Sequence, residues 1–169
     1  MVHQIKIVVI TCVFLFIQSI TNSLIAQSDL GIGLEWHEYE EAVELAEKNE
    51  KTIMLFMEAD WCSVCKRMKR EVFPDKEIQY LLNENFYIVS IDIESGKNML
   101  YQQENITQKA FSKQMNLFAT PTFIFLDFDE TVIGSKPGFM DKNELKQLLE
   151  FIYSDAYKSK SFADFQNNF

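Results

Sequence analysis

The chain has 169 residues, of which 47% are apolar and 14% aromatic, with only five Gly and three Pro. That composition excludes disordered, collagen-like and low-complexity chains, and the length suits one domain able to bury its own core. Sixteen Lys and Arg against 25 Asp and Glu give a net charge of −9, which repels phosphate backbones and argues against nucleic-acid binding. Three Cys cannot build a disulfide scaffold.

Residues 1–26 read as an export signal: a start carrying Lys6 and no acid, an apolar run over 7–17, then a more polar stretch ending at the small residue Ala26. The run is shorter than the ~20 residues of a membrane span. Mildly apolar residues beyond Gln18 leave an uncleaved anchor open as the alternative. Cys12 follows Thr11 inside the run and reads as a bystander rather than a lipidation site. Cleavage would leave Cys62 and Cys65 as the only thiols, in an oxidising compartment where a close pair has a redox meaning. The expected location is the periplasm or the medium.

Residues 27–35 read as a flexible lead-in, 36–157 as one domain and 158–169 as a tail. Trp36, Tyr39, Val43 and Ala46 fall at helical spacing, with Glu38, Glu40, Glu41, Glu44 and Glu47 on a solvated face. A first strand over 34–37 is only weakly signalled. Residues 52–58 are apolar on both alternating faces, as in a central strand covered on two sides. A helix from Cys62 to Phe73 would turn Val64, Met68 and Val72 inward and end at Pro74. Residues 76–83 read as helix, 86–92 as strand, and 97–116 as helix broken near Asn105, with Phe111 and Met115 an i,i+4 pair. Residues 122–127 and 131–135 read as strands joined at Asp129-Glu130. Asp141 caps a last helix through Leu145, Leu148, Leu149 and Ile152. Phe162 and Phe165 give the tail an apolar handle.

The segment Ala59-Asp60-Trp61-Cys62-Ser63-Val64-Cys65-Lys66 joins the buried strand to the helix. At a helix start Cys62 meets free backbone N–H groups and the positive end of the helix dipole, which favour a thiolate and move its pKa from ~8.5 toward ~7 or below. Cys65, one turn on and facing inward, can attack a mixed disulfide and release the partner. Zinc wants four ligands, and beyond the signal the chain offers two Cys and His37. A purely structural bridge across so short a loop removes little unfolded-state entropy. Lys66, Arg67, Lys69 and Arg70 form a basic cluster, which could attract an acidic partner or lower the Cys62 pKa but is read first as a solvated helix face. The sequon Asn105-Ile106-Thr107 is of a length that arises by chance.

Trp61-Cys62-Ser63-Val64-Cys65-Lys66 at a strand-to-helix turn, followed by Thr120-Pro121-Thr122 before a later strand, resembles the thioredoxin superfamily over about residues 36–153. With Lys66 and the basic helix ending in Val72-Phe73-Pro74, the motif resembles the family's exported branch, including the C-terminal domain of the membrane thiol-disulfide interchange protein. The resemblance implies an α/β fold: a thioredoxin-like three-layer α/β/α sandwich around a mixed sheet of four to five strands. It implies a thiol-disulfide oxidoreductase with Cys62 and Cys65 catalytic, Trp61, Thr120 and Pro121 binding substrate, and Pro121 cis beside the dithiol. No cofactor is expected beyond the redox-active disulfide. The implied partners are exported protein disulfides and a membrane or periplasmic thiol electron donor, with the protein a monomer.

This sequence departs from the family in two ways. Where classical cytosolic members carry a buried Asp six residues before the first Cys, it has Phe56; Glu58, one pleat further, could accept the Cys65 proton or be exposed at the strand end, as Asp60 could. Ser63-Val64 replaces Gly-Pro and lacks the His of strongly oxidising members, so an extreme oxidising potential is not expected. A metallochaperone or assembly factor holding a metal at the same cysteines is the alternative function.

Overall fold

The structure is a computed structural model describing residues 33–117 and 119–167. The proposed signal and most of the lead-in lie outside the described residues. In chain order the elements are β1 (Trp36–His37), α1 (Tyr39–Asn49), β2 (Thr52–Glu58), α2 (Ser63–Glu71), α3 (Lys76–Asn85), β3 (Phe86–Asp92), β4 (Asn98–Tyr101), β5 (Glu104–Thr107), α4 (Gln108–Gln114), β6 (Thr122–Leu126), β7 (Val132–Pro137), α5 (Lys142–Tyr153) and α6 (Phe162–Gln166), with a 3-10 turn at Ala156–Lys158 before α6. Five strands form one sheet in the order β1-β3-β2-β6-β7, the first three parallel and the last two antiparallel to their neighbours.

Alternation along β2 divides the core. Ile53, Leu55 and Met57 face a layer made by α1, α4 and β4, where Tyr39, Ala42, Ala46, Met99, Tyr101 and Phe111 are buried. Met54 and Phe56 face α2, α3 and α5, with Cys65, Met68, Ile78, Leu82, Leu145 and Leu149. Covering both faces of the sheet gives the three layers expected from the sequence.

Several boundaries differ from the sequence reading, each for a local reason. Trp36 belongs to β1, and α1 starts at Tyr39 with Ala42 and Ala46 as its fully buried contacts. Residues 33–35 are fixed: Leu34 is buried, and Asn83 brackets the segment by accepting from the Glu35 N–H and donating to the Gly33 carbonyl. Val64 is 38% exposed, and Cys65, Met68 and Val72 form the inner stripe of α2 instead.

The largest correction concerns residues 97–107, which form a β-hairpin rather than a helix. Met99 and Tyr101 are buried while Asn98 and Leu100 are exposed, a period of two. Gln102 and Gln103 both take left-handed conformations (φ 48° and 67°), as a two-residue hairpin turn requires. Part of the acidic face assigned to solvent anchors this hairpin: Glu40 accepts from the Leu100 N–H, and Glu38 pairs with Lys97. At the hairpin tip Glu130 accepts from both the Gln102 N–H and the Tyr39 hydroxyl. Burial, with Glu130 beside it, pushes the Tyr39 phenol far above its ordinary range. Phe162 and Phe165 dock on Phe151 at ring-centroid distances of 5.4 Å each, closing the tail against α5.

Candidate active site

Parallel pairing brings the carboxyl ends of β2 and β3 to one edge of the sheet, with Glu58 opposite Asp92. Antiparallel β6 begins at the same edge, with Thr122 opposite Met57. The crevice beyond the carboxyl ends of parallel strands is where open α/β sheets place their sites. Residues 59–62 turn there, closed by the Cys62 N–H donating to the Ala59 carbonyl at 2.9 Å, and α2 follows at once.

Cys62 is the N-cap of α2, and its Sγ accepts the Cys65 backbone N–H at 3.0 Å. The two sulfurs form a disulfide, with Cα atoms 5.3 Å apart. Cys62 is 3% exposed and Cys65 fully buried, so helix position, rather than open exposure, distinguishes the two. Trp61, immediately before Cys62, is 63% exposed, its indole N–H donating to Glu94 at 3.0 Å. The Thr120–Pro121 bond is cis. Pro121 is buried at the head of β6 and its carbonyl accepts from the Gly138 N–H, while Thr120 is half-buried.

Phe56 occupies the place of the family's acid and is fully buried, with Trp36, Phe73 and Phe123 ring centroids 6.2, 5.1 and 5.3 Å away. Glu58 is not exposed at the strand end, as Asp60 is; its side chain is 14% exposed. Each carboxylate oxygen lies 2.7 Å from the Lys69 Nζ, and Oε1 also accepts from the Ser90 hydroxyl.

The basic cluster separates accordingly. Lys69 is 13% exposed in its pair with Glu58, correcting its assignment to a solvated face. Arg67 bonds Glu71 and lies 4.0 Å over the Phe139 ring, while Lys66 and Arg70 are exposed. Ser90 and Glu94 are site-edge residues that sequence reasoning missed, and Lys69 was placed only as one member of the basic cluster. The signals were there: Lys69 follows Cys65 by four, one helical turn, and Ser90 alternates with Ile88 on the face toward α2. Among the described residues there is no group of three His, Cys, Asp or Glu that could hold a metal, and no helix long and apolar enough to cross a membrane.

Residues 39–153 match the family model described as "Thioredoxin-like domain". The chain belongs to the thioredoxin-like family. It is 25% identical over 109 residues to the disulfide bond reductase DsbH of Chlamydia pneumoniae, the match covering 62% of this chain and 65% of that one. It is 29% identical over 108 residues to the thiol:disulfide interchange protein DsbD of Yersinia pestis, covering 63% of this chain and 17% of the relative. The chain thus spans just under two thirds of the first relative and under a fifth of the second. Among solved structures, a thioredoxin-fold protein from Helicobacter pylori superposes with a TM-score of 0.64 at 20% identity, covering 78% of this chain and 92% of that one, which shows the shared fold. Both curated relatives are named for thiol-disulfide chemistry, and the Cys62–Cys65 pair lies at disulfide distance.

Proposed function

We propose that this protein is an exported thiol-disulfide oxidoreductase that reduces or exchanges disulfides in other exported proteins through Cys62 and Cys65. The observation that carries the reading is the Cys62 sulfur at the α2 N-cap, already accepting a backbone N–H. A thiolate at that atom gains the same hydrogen bond and the positive end of the helix dipole.

In the reducing direction the Cys62 thiolate attacks one sulfur of the substrate disulfide. That S–S bond breaks, the departing substrate thiolate takes a proton from solvent, and a Cys62–substrate disulfide forms. Cys65 then gives its proton to Glu58 and attacks the Cys62 sulfur, releasing the second substrate thiolate and leaving the Cys62–Cys65 disulfide. Two electrons have passed to the substrate, and a membrane or periplasmic dithiol must return them. Trp61 offers an exposed aromatic wall, and the Thr120 backbone can pair with an extended substrate segment, held in register by Pro121.

The reduced protein should accelerate the dithiothreitol-driven reduction of insulin at least tenfold over the uncatalysed rate, and its cysteines should equilibrate with a glutathione buffer. Failure of both would overturn the reading. Glu58→Gln keeps an oxygen for Lys69 and Ser90, so the fold should persist. Release of the substrate from a preformed mixed disulfide should nevertheless slow at least about tenfold near pH 7, because Cys65 has lost its proton acceptor. An unchanged pH–rate profile of that step would leave Glu58 with the ion pair alone.

A further inference from the structure

We infer that Lys69 is a positioning residue of the redox site, neutralising Glu58 behind the dithiol so that the Cys62 thiolate forms against no net buried charge. Helical side chains tilt toward the helix N-terminus. From one turn beyond Cys65, Lys69 therefore reaches back to the dithiol end of α2, where it meets Glu58 at the end of β2. Glu58 precedes Cys62 by four residues, and the Cys62 N–H is bonded to the adjoining residue, Ala59.

The pair is the least exposed ion pair among the described residues. Three elements build it: β2 supplies the carboxylate, α2 the ammonium and β3 the Ser90 hydroxyl. The other charged groups on the elements that carry or adjoin the dithiol are Asp60 after β2, Lys66, Arg67, Arg70 and Glu71 on α2, and Asp92 and Glu94 at the end of β3. Arg67, Arg70 and Glu71 are exposed, and Arg67 pairs with Glu71. Asp60, Lys66 and Glu94 are exposed and screened by water, and Asp92 accepts the Glu94 N–H. Glu58 is the shielded one. Without Lys69 it would oppose a second negative charge on Cys62 in a medium where charges interact strongly.

The inference rests on Cys62 being the attacking thiol, and one experiment separates the two claims. Fully reduced protein is alkylated with iodoacetamide from pH 4 to 10, and modification of each cysteine is followed by mass spectrometry. In the parent, Cys62 should react well before Cys65; if it does not, the attacking-thiol reading fails. In Lys69→Met the Cys62 midpoint should rise by about one pH unit, slowing its alkylation at pH 7 about fivefold. Lys69→Arg should stay within about twofold of the parent, and Glu58→Gln/Lys69→Met should return there. Glu58→Gln alone, with the ammonium left uncompensated, should move the midpoint down, which decides the matter should Lys69→Met not fold. A Cys62-selective parent whose midpoint ignores these changes, or a Lys69→Met defect that the double variant does not repair, would overturn the role of Lys69 while leaving Cys62 in place.

Discussion

Cys65→Ser should freeze exchange at the mixed disulfide, so that covalent adducts with exported proteins accumulate, whereas Cys62→Ser should form few or none. The asymmetry follows from helix position. Only Cys62 caps α2, and only its sulfur accepts a backbone N–H; Cys65 lies a turn deeper and fully buried. Without Cys65 no second cysteine remains among the described residues to displace the bound partner, and turnover should fall at least about a hundredfold because release then depends on external thiol. Cys62→Ser removes the attacking atom itself and should abolish turnover. Non-reducing gels of the two variants after exposure to a periplasmic extract or to an oxidised test protein read the difference. Equal trapping by both would sink the assignment. At 3% exposure Cys62 presents little open surface, so selectivity between the thiols should follow thiolate character more than access.

The strand-to-helix turn, the Thr-Pro element and the alternation of strands and helices were legible because each is a local signal. Apolar runs bounded by breakers mark β2, β3 and β6, and Asp141 caps α5 through its own carboxylate. The hairpin at 98–107 was not legible. Its strands are four residues each, and its turn uses Gln-Gln in left-handed conformations instead of the Asn-Gly that announces such a turn. The hairpin is held from elsewhere in the chain, by Glu40 and Glu130. The surroundings of Glu58 were hidden for the same reason. Its exposure is decided by Lys69 and Ser90, eleven and 32 residues away along the chain, and no local pattern reports a contact between three different elements. Local chemistry thus marked the dithiol, while the charge balance around it depends on the tertiary fold.

Phe56→Ala should lower the unfolding free energy by about 4 kcal/mol, among the largest losses any single substitution outside the dithiol would cause. Phe56 sits in the middle of the central strand, paired to Ser90 on one side and Phe123 on the other, and it is wholly excluded from solvent. Its ring meets Phe73 and Phe123 edge-on at centroid distances of 5.1 and 5.3 Å and Trp36 at 6.2 Å, so truncation opens a cavity under three aromatic walls. Rigid strands on both sides limit how far that cavity can collapse, which places the cost in the upper part of the Phe→Ala range. Phe56→Asp, which would restore an acid where cytosolic relatives carry one, should be worse still, because a buried carboxylate would replace the ring while the cation that lies over it, Lys69 at 6.0 Å, is already paired with Glu58. Urea unfolding followed by circular dichroism measures the loss as a fall in midpoint at nearly constant slope. A loss below about 1 kcal/mol for Phe56→Ala would mean that the ring is not the keystone of this layer. Well-behaved folding of Phe56→Asp would mean that the site can still accommodate an acid there, and that Glu58 and Lys69 are not its replacement.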